Sequence, residues 1–410
     1  MKRQVLSLRE QANIENNWLN MRIKEVLPQL MRAEGLDMWI VSAREYNEDP
    51  MMTALLPATM LSARRRTILV FSLQDELRCL SLSRTKLGTD TYEAAWDPQK
   101  EDQGDCLKRK IRELDPKNIG INYSETFAFG DGLSHTEYLL LLNSLDDIHQ
   151  CRLRSAERLC IRFLEHRTKV EMTAYGSIVD IAHQIIAEAF SRDVIHPGLT
   201  TADDVAWWMR QRLCDLGLTA WFHPTVDIQR RSAGAIGSNE VIIGGDLLHC
   251  DVGFHYLGLA TDTQQNAYVL NLDESDAPEG LRKALEIGNR LQDILAEEFI
   301  EMRTGNEILQ ASLTRANALG IVPSIYTHPI GFHGHGAGPT IGLWDNQNHV
   351  PGRGDYPLYN DTCHAMELNI LHRLLEWQNQ EIRLALEQTI LFSQGKVHYL
   401  SGRQTKLFLV

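Results

Sequence analysis

The chain has 410 residues, of which 43% are hydrophobic and 23% are charged, and these are the proportions of an ordinary soluble globular protein. This length suits two or three domains and is enough to bury a self-sufficient core. The 54 acidic residues outnumber the 41 basic ones, which gives a formal net charge of −13. So acidic a balance argues against binding nucleic acid through its phosphates, and no nucleic-acid partner is expected.

Membrane insertion and secretion are not expected either. No stretch approaches the roughly 18 apolar residues of a membrane span, and the richest run, 138–142, ends at Asn143. The N-terminal segment carries basic residues without an apolar stretch behind them, so it does not have the pattern of a secretory signal. The 7 cysteines are an odd number and form no CxxC pair, which favours reduced thiols. We therefore predict a cytoplasmic protein without a membrane partner.

Residues 1–153 have the pattern of a compact α/β domain. Apolar residues recur at helical spacing over 10–34, and Gly35 ends that predicted helix. Predicted strands and a helix follow at 38–41, 67–73, 77–82, 119–122 and 135–145. Because this part of the chain does not cluster His, Asp and Glu, a scaffold or oligomerisation domain is the preferred interpretation.

The pattern changes near residue 153, and residues 154–410 are predicted to form a second domain. Thr201 is a plausible cap for one of its helices. The predicted order is helices over 156–190 and 201–216, strands and Gly-rich turns from 221, a helix over 277–302, and further strands.

Two aspartates in the second domain suggest a cation site. Asp251 and Asp262 are 11 residues apart and flank an apolar stretch centred on Tyr256 and Leu257. A hairpin that turns there would make the two aspartates direct cross-strand neighbours, with Cβ atoms about 4.5–5.5 Å apart. Two carboxylates at that separation are costly in apolar surroundings unless a cation lies between them. The alternative is that each aspartate only marks a turn.

Three later residues favour the cation site. His335 lies among 4 glycines in the segment 331–338, where backbones can approach closely. Glu367 and Glu387 each interrupt an apolar, strand-like run, and a glutamate in such a run is rarely buried unless it is paired or bound to metal. Four carboxylates and one imidazole, without a thiolate, suit two divalent ions such as Mn, Zn, Co or Fe.

The order of these five residues resembles the metallopeptidase superfamily of methionine aminopeptidase, aminopeptidase P, prolidase and creatinase. The resemblance covers residues 155–410 and implies the pita-bread fold for that part. Residues 1–153 look like the N-terminal α/β domain of aminopeptidase P, prolidase and creatinase. The expected fold class is therefore α+β, with a creatinase-like N-terminal domain and a pita-bread catalytic domain, in a layout closest to Xaa-Pro aminopeptidases.

The resemblance also implies a role for each residue. Asp251 would chelate one metal ion, Asp262 and Glu387 would bridge two, and His335 and Glu367 would bind the second. Glu367 would in addition move a proton from the attacking water to the leaving nitrogen. Manganese is the expected metal, and a homodimer is the expected assembly. Creatinase lacks this metal set, so the presence of all five ligands argues against a metal-free site.

The sequence departs from the superfamily pattern at two accessory histidines. One is expected upstream of the first aspartate, where residues 230–236 contain no histidine. The other is expected seven residues after the metal-binding histidine, but residue 342 is glycine, and Trp344 stands in its place after a short insertion. His333 is the preferred replacement as a catalytic residue. The other histidines that we consider as replacements are His223, His249 and His328.

Three functions stay open at this point. The leading hypothesis is an aminopeptidase that hydrolyses the N-terminal bond of small peptides, most plausibly of the Xaa-Pro type. A metal-dependent hydrolase or lyase of a small non-peptide molecule is the second, because the accessory histidines are missing. A non-catalytic binding protein on the same fold is the third. Arg230 and Arg231 could bind a substrate carboxylate, although two exposed basic residues are the preferred interpretation.

Overall fold

A computed structural model describes residues 5–88 and 90–410. Residues 1–4, the basic start of the segment that was compared with a secretory signal, lie outside the described part. The chain forms two compact units, Leu6–Leu164 and Glu165–Val410. This division falls later than the 153/154 boundary set from the sequence, because a strand at 153–155 still pairs with the sheet of the first unit. No helix in the described residues is both long and apolar enough to cross a membrane.

The first unit contains one six-stranded sheet flanked by helices. Its elements are α1 (Leu8–Met21), α2 (Leu27–Ala33), β1 (Met38–Arg44), α3 (Pro50–Leu55), β2 (Arg66–Leu73), β3 (Leu77–Leu82), β4 (Glu93–Ala94), α4 (Gln103–Leu114), β5 (Ile119–Ile121), α5 (His135–Asn143), α6 (Asp147–Gln150), β6 (Leu153–Ser155) and α7 (Glu157–Glu165). The strand order is β4-β3-β2-β1-β5-β6, in which β1, β2 and β3 are antiparallel and β1, β5 and β6 are parallel.

The elements of the first unit follow the sequence pattern closely. The predicted helix 10–34 is α1 and α2, joined without a break by a π-helical turn at Arg22–Val26. The predicted strands are β1, β2, β3 and β5. Trp39 of β1 is fully buried, stacks on Phe71 at 5.3 Å between ring centroids, and donates its indole N–H to Asn122. Buried aromatic packing with a satisfied N–H is what makes this central strand a stable core element.

The second unit is built on a larger sheet. Its elements are α8 (Lys169–Ala189), α9 (Ala202–Asp215), β7 (Thr219–Ala220), β8 (Thr225–Arg230), β9 (Gly234–Ile236), β10 (Leu247–Val252), β11 (Phe254–Tyr256), β12 (Leu259–Ala260), β13 (Thr263–Tyr268), α10 (Glu279–Glu298), α11 (Gly305–Ala318), β14 (Val322–Ile325), β15 (His328–Pro329), β16 (Thr362–Leu374), β17 (Gln380–Ser393), β18 (Lys396–Tyr399) and β19 (Phe408–Leu409). The main strand order is β14-β16-β17-β13-β10-β8-β9. The long antiparallel pair β16 and β17 lies next to the central strand, β13.

Helices cover one face of this sheet. The predicted helix 156–190 is two helices, α7 and α8, and Thr168 caps the second through a reciprocal capping box with Glu171. Thr201 caps α9 in the same way, as the sequence indicated. Helix α10 packs its apolar side chains against β16 and β17, and α11 packs against α10 and β14 in the same buried cluster. The opposite face of the same strands carries the polar residues described below.

One local prediction is wrong. The hairpin that contains the two aspartates turns at Leu257 and Gly258, both with positive φ, and not at Tyr256 and Leu257. The β10–β13 register therefore places Asp251 opposite Gln264 and not opposite Asp262. Positive φ favours glycine in the turn, which explains why Gly258 fixes the register one residue later. Asp262 lies two residues before Gln264 and so projects from the same face.

Candidate metal centre

A row of four polar side chains crosses the centre of the large sheet. Glu367 of β16 lies directly opposite Glu387 of β17, Glu387 lies opposite Gln264 of β13, and Gln264 lies opposite Asp251 of β10. Directly opposed residues in antiparallel strands project from the same face of a sheet. Four neighbouring strands thus direct three carboxylates and one carboxamide to the same side.

Two further residues join this row. Asp262 precedes Gln264 by two residues, and His328 of β15 lies opposite Ala365, which precedes Glu367 by two. Because side chains alternate between faces along a strand, both project toward the carboxylates. Ligand atoms lie within 4.8 Å of one another in each of three groups: Asp251, Asp262 and Glu387; His328, Glu367 and Glu387; and Asp262, His328 and His335.

The cluster is buried and lacks hydrogen-bond partners where a cation would sit. Within the described residues, one oxygen each of Asp251 and Asp262, both oxygens of Glu387 and the Nε2 atom of His328 are buried without a partner. His328 Nε2 lies 3.6 Å from an oxygen of Asp262 and 3.5 Å from one of Glu387. Buried polar atoms are normally satisfied, so these atoms fit a hard-to-borderline divalent ion bound by oxygen and imidazole ligands.

Burial, and after it the charges of neighbouring carboxylates, disfavours the ionised form of the carboxyl groups in the cluster. Burial raises the pKa of Asp251 to about 6 and that of Glu367 to about 7. Burial and then the charge of Asp251 raise the pKa of Asp262 well above its usual range. Burial and then the charge of Asp262 do the same to the pKa of Glu387. In the absence of cations, protons are what would neutralise these groups.

The protonation of His328 is set by its surroundings. Its Nδ1 atom lies 3.1 Å from the carbonyl oxygen of Pro329, which can only accept a hydrogen bond. Nδ1 therefore carries the proton, and the lone pair of Nε2 faces the carboxylates, which is the usual arrangement of a metal-binding imidazole. Burial, followed by the neighbouring His335, lowers the pKa of His328 to about 3, so the ring is neutral.

His335 lies at the outer side of the cluster. It is exposed, and its ring centroid is 4.7 Å from that of His328. The two histidines are seven residues apart, which is the spacing expected between the metal-binding histidine of the superfamily and its accessory histidine. Counting seven residues back from His335, instead of forward, is the sequence signal that would have found His328. The structure brings both histidines to the cluster, with His328 inside and His335 at its edge.

An indole ring holds the histidine segment against the aspartate hairpin. A Cβ atom on Gly334 would lie 2.2 Å from a ring carbon of Trp221, and one on Gly253 would lie 2.3 Å from its Nε1 atom. The Trp221 N–H donates to the carbonyl oxygen of Thr261 at 2.8 Å, and its ring contacts His335 edge-on at 5.2 Å. The glycines are therefore needed for close packing against Trp221, whose role the sequence analysis did not identify.

The histidines considered as replacements lie in different places. His333 belongs to none of the candidate ligand groups found among the described residues. Burial, His255 and Arg167 lower its pKa to about 4. His223 is exposed and packs against Trp207 with 4.6 Å between ring centroids. His249 is buried, and its Nε2 atom lies 2.9 Å from Oε1 of Gln264 in the polar row.

Two other sequence-derived residues do not reach the cluster. Arg230 donates two hydrogen bonds to the fully buried carboxylate of Asp246, at 2.7 and 2.8 Å. A buried bidentate pair of this kind has a structural role, so the preferred interpretation of Arg230 as merely exposed is not what the structure shows. The Trp344 side chain is 76% exposed, which is not the environment of a ligand or a proton-transfer group.

Comparison with known proteins identifies a family match and several similar solved structures. The profile of metallopeptidase family M24 matches residues 173–393, more than half of the chain. No curated protein matches the sequence. Among solved structures, the X-Pro aminopeptidase from Thermotoga maritima MSB8 has a TM-score of 0.67 at 15% identity, over 93% of this chain and 100% of that one.

Two other solved structures show how widely the fold is used. The prolidase from Pyrococcus furiosus has a TM-score of 0.56 at 14% identity, over 92% of this chain and 99% of that one. The N-terminal domain of FACT complex subunit SPT16 from Cicer arietinum (chickpea) has a TM-score of 0.56 at 14% identity, over 98% and 99%. The expected resemblance and the expected α+β, creatinase-like fold class are thereby confirmed.

The raised carboxyl pKa values predict how the stability of metal-free protein depends on pH. The folded chain binds a proton at Glu367 more tightly than the unfolded chain, so this group's contribution to stability is lost as pH rises from about 4 to about 7. Buried neutral histidines, such as His328, act in the opposite sense below about pH 6.5, so two proteins must be compared.

Unfolding in urea would be measured for chelated wild type and chelated Glu367→Gln between about pH 5 and about pH 8. We expect the wild type to lose about 1–3 kcal/mol relative to the variant across this range. Added Mn²⁺ should restore wild-type stability at the upper end, since cations then replace protons. Parallel pH profiles for the two proteins would contradict the assignment of a raised pKa to this carboxyl.

Proposed function

Because the chain belongs to metallopeptidase family M24, we propose that it is a divalent-metal-dependent aminopeptidase of small peptides. The observation that carries this proposal is the group of five buried, unpartnered ligand atoms at the centre of the large sheet. One matched structure is named as a subunit domain of a complex and not as a peptidase, so the fold alone does not establish activity. The proposed activity therefore rests on the side chains of the site.

The overlapping ligand groups support two ion positions. Asp251 with Asp262 and Glu387 would hold one ion, and His328 with Glu367 and Glu387 would hold the other. Glu387 is common to these two groups, and Asp262 also lies in the group with His328, so both would be shared between the ions. We assign the imidazole ligand to His328 and not to His335, because His328 is buried among the carboxylates with its Nε2 lone pair directed at them. Manganese is the ion proposed, with Zn, Co or Fe as the alternatives.

The protein's own groups would carry the proton transfers. Bound divalent ions would supply the Lewis acidity that activates water near neutral pH and polarises a peptide carbonyl. Glu367, which lies directly opposite Glu387, can accept the proton of the attacking water and give it to the leaving nitrogen. His335, at the outer edge of the cluster, has its pKa lowered by partial burial of the ring and is a neutral imidazole that can donate a hydrogen bond to the substrate.

The surroundings of His335 favour short peptides as substrates. After burial, the positive charge of Arg353, which is an exposed residue, is what lowers the pKa of His335, so this guanidinium lies within electrostatic range of the His335 ring. A guanidinium there suits the carboxylate of a short peptide bound with its N-terminal bond at the metals. The X-Pro aminopeptidase and prolidase among the matched structures support Xaa-Pro peptides as the substrate class.

A non-peptide substrate was proposed from the sequence because both accessory histidines were unassigned. With His328 as the ligand, His335 would be the accessory histidine seven residues later. Only the upstream accessory histidine would then be unassigned. No described contact favours a small non-peptide molecule over a peptide. Turnover of small amides without turnover of peptides would nevertheless establish that alternative.

The proposal predicts manganese-dependent release of the first residue from Xaa-Pro peptides. The protein would be stripped with a chelator, reloaded with Mn²⁺, and assayed by mass spectrometry on paired Xaa-Pro and Xaa-Ala peptides of two to five residues. We expect Asp262→Ala to reduce turnover by at least about 10³-fold, because it removes a carboxylate shared by two ligand groups. The control is Asp273→Asn, an exposed aspartate outside the cluster. Full activity of Asp262→Ala would refute the site.

The two histidines should separate by their effects on metal content and turnover. His328→Ala should lose at least one bound ion per chain, measured by plasma mass spectrometry after gel filtration. His335→Ala should keep the metal content of the wild type and lose about 10²–10⁴-fold in kcat, as expected for a lost proton-transfer or hydrogen-bonding group. The reverse result, with metal lost only in His335→Ala, would restore the ligand assignment made from the sequence.

A further inference from the structure

Gln264 occupies the middle of the polar row and uses every hydrogen-bonding atom of its side chain. Its Nε2 atom lies 2.9 Å from an oxygen of Glu367 and 3.4 Å from an oxygen of Asp251. Its Oε1 atom lies 2.9 Å from Nε2 of His249. A buried amide between two carboxylates of the cluster is not explained by packing alone, since an apolar side chain would fill the same space.

The orientation of this amide is fixed by its neighbours. Carboxylate oxygens accept hydrogen bonds, so the NH₂ group, which has two hydrogens, must face Glu367 and Asp251. The carbonyl oxygen then faces His249, whose Nε2 atom must carry a hydrogen to donate to it. The other ring nitrogen of His249 lies 3.4 Å from an oxygen of Asp227. His249 and Gln264 therefore form one chain of hydrogen bonds that ends on two carboxylates, and Asp227 lies beside the outer ring nitrogen of His249.

The sheet holds this chain in place through three adjacent strands. Asp227 of β8 lies directly opposite His249 of β10, and His249 precedes Asp251 by two residues on the same face. Gln264 and His249 are buried, whereas Asp227 reaches the solvent. The outer end of the chain, at His249, thus lies beside a carboxylate that reaches the surface, and its inner end lies among the metal-ligand candidates.

An amide suits this position better than a charged side chain. Lysine or arginine would neutralise the carboxylates and compete with the cations, and a further carboxylate would add to their repulsion. The amide instead supplies two N–H donors without a net charge. These donors hold one oxygen of Glu367 and one of Asp251 and leave the second oxygen of each carboxylate for another ligand.

We propose that Gln264, oriented by His249, is a positioning residue that sets the rotamers of Glu367 and Asp251 for divalent cations. The proposal rests on the proposed function, because it assumes that the cluster binds such ions. Gln264 orients the two carboxylates before the ions arrive, so that less ordering is needed on binding. Loss of its donors weakens metal binding, and loss of His249 weakens it by releasing the amide from its orientation.

The test compares Gln264→Met with Gln265→Met. Methionine has the length of glutamine but no donor, and Gln265 is the next residue of the same strand, equally buried but on the opposite face. Mn²⁺ affinity would be measured by titration of the full-length protein followed by electron paramagnetic resonance. We expect the affinity to fall about 10–100-fold for Gln264→Met, as for other residues that support metal ligands, and to change by less than about 3-fold for Gln265→Met.

A double-mutant cycle tests the role of His249. His249→Leu should weaken Mn²⁺ binding in the wild-type background and add no further loss in the Gln264→Met background. Equal losses in both backgrounds would show that His249 does not act through the amide and would overturn that part of the proposal. Should Gln264→Met not fold, Gln264→Asn takes its place, because its shorter amide cannot reach both carboxylates and is expected to weaken binding as well.

The outcomes separate this inference from the proposed function. If the wild type binds Mn²⁺ and Gln264→Met binds it equally well, the positioning role is refuted while the metal site stands. If the wild type binds no divalent ion, the proposed function fails before the variants are compared. If Mn²⁺ binds with the predicted differences but peptides are not cut, the positioning role holds and only the substrate class is wrong.

Discussion

The burial of four carboxylates together on one face of the large sheet is the constraint on which the second unit depends. Glu387 is fully buried, and neither of its oxygens has a hydrogen-bond partner in the described part of the chain. Carboxylates in such surroundings are stable only when they are protonated or when cations neutralise them. The raised pKa values of Asp251 and Glu367 express the first alternative, and the chemistry of the ligand set expresses the second.

The sheet makes this unfavourable arrangement possible because its strands are long and their register is fixed elsewhere. β16 and β17 pair along their whole length, and α10 buries an apolar cluster against their other face. Burial of that apolar face offsets the cost of the charged one. The site can therefore stay preorganised, which is what allows Glu367 and Glu387 of one hairpin to meet Asp251 of a strand distant in sequence.

Local structure could be predicted from the sequence because it depends on neighbouring residues. Helix caps such as Thr201, and the apolar run of β2, need no knowledge of the rest of the chain. The two glutamates could also be singled out, since a charged residue inside an apolar strand is unusual. The family resemblance then supplied the fold of the second unit.

The remaining features depend on register and on contacts between distant segments. The predicted hairpin turn was one residue too early, so Asp251 was paired with Asp262 and not with Gln264. In an antiparallel pair, a shift of the turn by one residue changes the partner of each residue by two. His328 reaches the cluster because β15 pairs with β16. The sequence does not show this pairing, and the glycine-rich segment made His335 the more obvious ligand candidate. Gln264 carries no charge and fits no motif, so only its contacts reveal its position.

The most direct test of this account is the location of manganese in crystals of the reloaded protein. Anomalous diffraction at the manganese absorption edge would count the ions and place them among the side chains. We predict two peaks per chain, both beside Asp262 and Glu387, with His328 Nε2 as the imidazole ligand of one. A protein that holds no manganese at this cluster, or holds it only elsewhere, would contradict the account.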